Sequence, residues 1–193
     1  MRLAAALLAA VLAAGCFTPQ QPAEPRYFTP VVPHASASDP GRGGQARPLR
    51  VKRVGAAAYL RERMVWRRGV EIGFYDLLRW TESPARFAQA ALEDELFEHR
   101  GFQRTNTGAV ATLNSTLQAF DELLAPAHEA AVALDVVLTD PKNGTLIDRT
   151  FEVHRPIASD DPKEVADALG AALAQAVSEI GAAVAESLGS HPL

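Results

Sequence analysis

Apolar and polar residues alternate with a period of two over much of residues 49–80. The alternation predicts short strands near residues 49–51 and 64–66, followed by a longer one. In the longer strand the even positions from Val70 to Trp80 are apolar, except at Asp76. Because alternate side chains of a strand point to opposite faces, this pattern predicts one buried face and a bulge-like break at Asp76.

The same alternation returns in three later segments, residues 109–122, 130–138 and 147–153. The last two are separated by residues 140–144, with the sequence Asp-Pro-Lys-Asn-Gly, in which Asn-Gly tolerates the positive φ of a tight turn. The pattern predicts a long hairpin inside a three-strand meander.

Two helices are predicted from their ends. Ser83 and Asp161 are good N-cap residues, and each is followed by a proline, which suits the first helical turn. Gly101 and Gly189 fit the positions where the two helices end. The chain is therefore expected to be an α+β protein, an antiparallel sheet with a long hairpin and meander, covered by two α-helices.

The N-terminus has the pattern of a secretory signal peptide at residues 1–15. Arg2 precedes an uninterrupted apolar run over residues 3–14, which as a helix spans roughly 18 Å, too short to cross a bilayer. The run meets Gly15 and Cys16, and Ala-Ala-Gly-Cys at this position resembles the lipobox of bacterial lipoproteins. The alternative is an ordinary signal peptide that is cleaved nearby and leaves a stray thiol.

The lipobox resemblance implies cleavage between Gly15 and Cys16 and a covalent lipid on Cys16. Several acyl chains hold a protein on a bilayer far more firmly than a single one does. The next residue is Phe17, not the Asp that commonly retains lipoproteins at the inner membrane, so the expected location is the periplasmic side of the outer membrane.

A tether is expected over residues 16–48, and a single α+β domain over residues 49–189. Seven of the thirteen prolines fall in the tether, where they favour an extended chain. Its aromatic run near residues 27–29 suggests a short edge strand attached to the domain.

Composition narrows the class of protein. The chain has 193 residues, a net charge of −4 and 48% hydrophobic residues, which fits one globular domain and excludes a wholly disordered chain. The single cysteine excludes a disulfide framework.

No motif of a hydrolase, a phosphate-binding loop or a zinc site occurs in the sequence. The five histidines never fall two to four residues apart, so no local metal pair is expected, and we predict neither a catalytic site nor a metal site. Residues 47–68 hold eight basic side chains and one acidic one, whereas residues 121–193 hold thirteen acidic and four basic side chains. Nucleic acid is not an expected partner of such an acidic, exported chain. The basic stretch suits an anionic lipid surface or an acidic protein face, and the alternative is the solvated face of two strands.

Several segments together resemble the ABC-type transport auxiliary lipoproteins, the PqiC-like family. Tyr27 and Phe28 resemble the aromatic pair that opens the family's mature domain. Tyr-Leu-Arg-Glu-Arg-Met-Val at residues 59–65 is similar to its Tyr-Leu-Asp-Arg-Pro-x-Ile-Val segment, with Arg63 in place of the proline. Leu-Arg-Trp-Thr-Glu-Ser-Pro at residues 78–84 is similar to its Arg-Trp-Ala-Glu-Pro segment.

The resemblance implies an accessory protein rather than an enzyme, with no cofactor beyond the lipid on Cys16. Such lipoproteins work with a periplasmic MCE-domain protein, an ABC permease and an ATPase to move phospholipid or other hydrophobic molecules between two membranes. Self-association is left open. The candidate partner contacts are Tyr59, Leu60, Arg61, Arg63, Arg79 and Trp80.

Two alternatives accompany this hypothesis. The same six residues could simply pack strand ends around a core tryptophan. The whole chain could instead be a structural lipoprotein subunit of an outer-membrane secretion or envelope ring, which neighbouring genes would distinguish.

Overall fold

Two stretches of the chain, residues 23–33 and 47–190, are described by the computed structural model. The predicted signal peptide and its cleavage site, Gly15–Cys16, lie outside these residues, so the lipidation of Cys16 stays a prediction.

The long strand β7 (Ala111–Ala125) organises the sheet. On one edge it pairs antiparallel with β8 (Glu129–Asp140), which in turn pairs antiparallel with β9 (Gly144–Pro156). In the β8–β9 turn the Asp140 carboxylate accepts hydrogen bonds from the backbone N–H groups of Lys142 and Asn143. Gly144, which follows them, has φ 79°. The predicted hairpin and three-strand meander are therefore confirmed.

Six further strands complete the sheet: β1 (Arg26–Phe28), β2 (Pro48–Val51), β3 (Gly55–Ala56), β4 (Arg63–Arg68), β5 (Glu71–Trp80) and β6 (Gln103–Arg104). Three of them, β2, β3 and β4, pair in parallel with the other edge of β7. β4 also pairs antiparallel with β5, and the last three residues of β5 pair in parallel with β1. β6 pairs in parallel with β2.

The α+β class is confirmed, and the nine-stranded sheet of the described residues is mixed. The expected antiparallel pairing holds for the hairpin, the meander and β4–β5, whereas the pairs along the second edge of β7 are parallel. The physical reason is connectivity: β2, β3 and β4 all precede β7 by long connections, and parallel pairing needs such connections.

Both predicted helix starts are confirmed, at α1 (Pro84–Asp94) and α2 (Pro162–Gly189). The Asp161 carboxylate accepts a hydrogen bond of 3.0 Å from the backbone N–H of Lys163, as an N-cap does. After α1 the chain continues through one π-helical turn, Glu95–His99, before Gly101 adopts φ 72°. Within that turn Glu95 is buried and forms a 2.7 Å ion pair with Arg100.

Both helices lie on one face of the sheet, mainly against β7, β8 and β9. By length and composition α2 is apolar enough to cross a membrane, but core helices of soluble domains share that property. Its buried residues, among them Leu169, Leu173 and Ile180, belong to the same core cluster as Leu134 and Phe151 of the sheet. In this fold α2 is therefore a core helix.

The burial expected for β5 was wrong over its first half. Val70 lies in the β4–β5 turn and is fully exposed, and Ile72 and Phe74 are 37% and 38% exposed. Only Trp80, at the far end of the strand, is fully buried. The reason is that the helices cover β7–β9, so the β4–β5 hairpin extends past the layer that would bury it.

The N-terminal segment is attached to the domain at two places. β1 pairs with residues 78–80 of β5, and the backbone of Val31 lies directly against Gly170 of α2. Residues 26–33, which fall in the predicted tether, thus belong to the folded unit.

Candidate functional site

An open groove of about 710 Å³ lies where the β3–β4 connection meets the end of β5. We call it the arginine groove, because three guanidinium groups and one carboxylate, that of Glu62, are part of its wall. Its lining residues are Ala56, Ala57, Ala58, Leu60, Arg61, Glu62, Arg63, Arg79 and Ser83. Four of the six predicted contact residues are therefore brought together in one concavity.

Arg63 and Arg79 face each other across the β4–β5 ladder, beside a break in its register. Arg63 donates to the backbone carbonyl oxygens of Phe74 and Tyr75 and forms a 2.7 Å ion pair with Asp76. Arg79 donates through Nη1 to the carbonyl oxygens of Tyr75 and Leu78, at 3.1 and 3.3 Å. The break expected at Asp76 is thus a bulge whose exposed carbonyl groups are satisfied by the two arginines.

The two arginines consequently have a structural task as well as a place in the groove. Among the described residues, the hydrogen bonds of Arg79 use Nη1 alone, which leaves Nε and Nη2 as donors for a ligand. Arg61 is exposed and makes a single backbone contact, a 3.2 Å hydrogen bond from Nε to the carbonyl oxygen of Ala58. Leu60 is buried and forms the apolar part of the wall.

Tyr59 is half-buried and lies behind the groove rather than in it. Its hydroxyl hydrogen-bonds with the carbonyl oxygen of Gln118 at 2.8 Å and with the Asp121 carboxylate at 3.1 Å. Burial, and then the charge of Asp121, raise the pKa of Tyr59 to about 12. The phenol therefore stays protonated and ties the β3–β4 connection to β7.

Asp121 has no exposed surface, and its charge is matched by Arg67. Arg67 donates to the same carboxylate oxygen from Nε at 3.0 Å and from Nη2 at 2.7 Å. Such a buried carboxylate is stable only when it is paired and hydrogen-bonded. We call Tyr59, Arg67 and Asp121 the β7 clamp. The sequence alone does not reveal the clamp, because Tyr59 and Arg67 lie 62 and 54 residues from Asp121 and share no local motif with it.

Trp80 lies in the core, with 1% of its surface exposed. Its ring makes edge-to-face contacts with Phe87 of α1 and Phe120 of β7, at centroid distances of 6.2 and 5.3 Å. A docked partner would not touch this side chain. The tryptophan supports the end of β5, so for this residue the packing alternative describes the structure.

A second polar cluster joins β5, β7 and the turn between β7 and β8. Tyr75 donates to Glu122 at 2.7 Å, and His128 lies 2.7 Å from the other oxygen of that carboxylate. Burial and the hydrogen bond to Glu122 raise the pKa of Tyr75 well above its ordinary value. Within the described residues no group of three His, Cys, Asp or Glu side chains is arranged to hold a metal ion.

Comparison with known proteins identifies the same family that the sequence motifs resemble. A family model described as the ABC-type transport auxiliary lipoprotein component matches residues 30–181. A search of curated proteins gives no match.

Solved structures share the fold. One is the crystal structure of protein XCC0632 from Xanthomonas campestris, with a TM-score of 0.73 and 20% identity over 86% of this chain and all of that one. Another is the hypothetical protein CT253 from Chlamydia trachomatis, with a TM-score of 0.52 and 9% identity over 74% of this chain and 98% of that one. At these identities the likeness establishes the fold alone.

Proposed function

Because the chain belongs to the family of ABC-type transport auxiliary lipoprotein components, we propose that it is a lipid-anchored outer-membrane adaptor that docks a periplasmic MCE-domain protein. The assembly would move phospholipid or another hydrophobic compound between the two membranes. The lipid on Cys16 would anchor the adaptor, and the folded domain would bind the partner without performing a reaction.

The observation that carries this proposal is the arginine groove. It gathers residues from two segments that resemble family motifs, 59–65 and 78–84, into one open concavity. Arg61 and Arg79 supply donors there, and the small side chains of residues 56–58 leave room for a partner's main chain. A segment with carboxylate or carbonyl acceptors on the partner fits this wall best.

The docking step is tested by affinity isolation of the tagged, full-length protein from its native envelope. Arg61→Glu reverses a groove charge at an exposed residue, so the fold should be retained. We expect recovery of the MCE-domain protein to fall on the order of tenfold. Arg155→Glu, on the exposed surface of β9, is the matched control and should leave recovery unchanged.

Two results would contradict docking through the groove. One is equal recovery of the partner by the Arg61→Glu and Arg155→Glu variants. The other is recovery of secretion-ring components, with no MCE-domain protein, by the unchanged chain, which would favour the structural-subunit alternative.

The anchor is tested separately. Mass spectrometry of the mature N-terminus should find acyl chains on Cys16, and Cys16→Ser should remove the protein from the outer-membrane fraction. A bare Cys16 thiol in the mature protein would contradict the proposal.

A further inference from the structure

Three exposed large apolar side chains of the described residues lie close together at the turn end of the β4–β5 hairpin. They are Val70, Ile72 and Phe74, and we call them the edge patch. The other exposed large apolar residues, Tyr27, Val31 and Leu77, lie away from the turn, and Tyr27 is opposite Arg79 at the far end of β5. A monomeric domain rarely leaves such a set of neighbouring apolar side chains in water without a function.

Basic and aromatic residues border the edge patch. Arg68 is exposed, with its guanidinium 5.8 Å from the centre of the Trp66 ring. Arg68 forms no ion pair with a described residue, and the one acidic residue of the turn is Glu71. Apolar tips bordered by arginine and aromatic rings suit the headgroup region of a bilayer, where phosphate groups lie above acyl chains.

The direction of β1 indicates which end of the domain faces the membrane. β1 is parallel to β5, with Arg26 opposite Leu78 and Phe28 opposite Trp80. The chain therefore enters β1 from the side of the β4–β5 turn. That turn lies about 25 Å from Arg26 along β5 at the usual rise of a strand.

The length of the segment between Cys16 and β1 completes the argument. Nine residues separate Cys16 from Arg26, and the ten Cα–Cα steps between the two span at most about 35 Å. The reach of this segment exceeds the length of the hairpin by only about 10 Å. A bilayer that holds the lipid on Cys16 lies within reach of the turn at Val70.

We infer that the β4–β5 hairpin contacts the bilayer that carries the lipid anchor, with the edge patch in the headgroup region and Arg68 beside the phosphates. The inference rests on the anchor at Cys16, which is part of the proposed function. It orients the arginine groove away from the membrane, because the groove is lined by the start of β4 and the end of β5, at the far end of the hairpin from its turn. The groove then stays open to a partner in the periplasm.

The test uses the full-length lipidated protein in vesicles of phosphatidylethanolamine and phosphatidylglycerol. A fluorophore is placed on Val70→Cys or, as the matched control, on Asn143→Cys in the β8–β9 turn. The two turns lie at opposite ends of β7, about 50 Å apart at the usual rise of a strand. Cys16 is the only cysteine of the natural chain, and its acylation leaves the new thiol as the single labelling site.

Lipids with brominated acyl chains should quench the label at residue 70 by roughly half and leave the label at residue 143 almost unchanged. Flotation of the protein with the vesicles reports the anchor independently. A protein that floats but shows equal emission at both positions would overturn the inference and leave the proposed function standing. A protein that does not float would overturn both.

A second copy of the chain on the edge patch would give a different signature. Emission at residue 70 would then shift with the density of protein in the vesicles and would not respond to bromination. That result would also overturn the inference. Ile72→Asp in the protein labelled at residue 70 should abolish the quenching while the protein still floats, because Ile72 lies in the edge patch and outside the core cluster.

Discussion

Gly170 in α2 lies directly against the backbone of Val31. A Cβ atom built on Gly170 would lie 2.1 Å from the Val31 carbonyl oxygen and 2.7 Å from its carbonyl carbon. Real Cβ atoms do not come so close to a backbone, so only glycine allows the N-terminal segment to cross the helix at this depth.

Replacement of Gly170 by alanine should therefore loosen the N-terminal segment. Alanine favours the helix by about 1 kcal/mol, but overpacking against a backbone costs about 1–3 kcal/mol. We expect faster tryptic cleavage after Arg26 and faster amide exchange in β1. The control is Gly189→Ala, where nothing lies within 4 Å of the added atom. Unchanged cleavage in Gly170→Ala would show that the segment is not held by this contact.

Removal of the Asp121 charge should destabilise the β7 clamp. Asp121→Asn leaves Arg67 with a weaker acceptor in a buried place, and we expect the free energy of unfolding to fall by about 2 kcal/mol. Chemical denaturation measures it. Asp148→Asn, on the exposed surface of β9, should change stability by no more than about 0.5 kcal/mol. Equal effects of the two substitutions would refute the clamp.

The free energy of unfolding should fall at alkaline pH, because the pKa of Tyr59 is higher in the fold than in the unfolded chain. The phenol has an ordinary pKa of 10.0 in the unfolded chain and about 12 in the fold, so the unfolded state loses its proton first as the pH rises. The Tyr59 contribution is complete below pH 10.0 and is lost as the pH rises towards about 12. Denaturation curves across this range should be less pH-dependent for Tyr59→Phe than for the natural chain. Identical pH dependence of stability in the two proteins would contradict this contribution of Tyr59.

Substitution of Gly73 by alanine should displace the Trp66 ring. A Cβ at residue 73 would lie 2.0 Å from the Trp66 ring carbon Cζ2. The indole must then leave the hairpin surface, and its fluorescence should shift to longer wavelength as water reaches it. The effect on stability should be a loss of about 1–3 kcal/mol. Gly55→Ala serves as the control, since its nearest neighbour would be 3.4 Å away, an ordinary contact. Unaltered tryptophan emission in Gly73→Ala would contradict the packing.

Local signals in the sequence predicted local structure correctly. The proline and N-cap pairs gave both helix starts, and period-two alternation with an Asn-Gly turn gave the β8–β9 hairpin. These features succeed because their physical causes lie within a few residues. The break in the alternation at Asp76 likewise coincides with the register shift between β4 and β5.

Features that depend on residues far apart in the chain could not be predicted from the sequence. The alternation from Val70 to Phe74 predicts a buried face, yet no helix reaches that part of β5, and nothing local reveals the absence of a covering layer. Similarly, the clamp between Tyr59 and Asp121 joins positions 62 residues apart. The groove was anticipated in part, as four of its lining residues were singled out through family resemblance and not through chemistry.

The edge of β7 that three earlier strands share has a consequence for assembly of the chain. As the polypeptide emerges from its N-terminus, β2, β3 and β4 are complete long before residues 111–125 arrive to pair with them. Closing these distant pairs is slow compared with forming a hairpin. Roughly the first half of the domain must meanwhile stay unfolded and exposed to aggregation. Holdase chaperones should therefore influence the yield of this protein more than they influence its final stability.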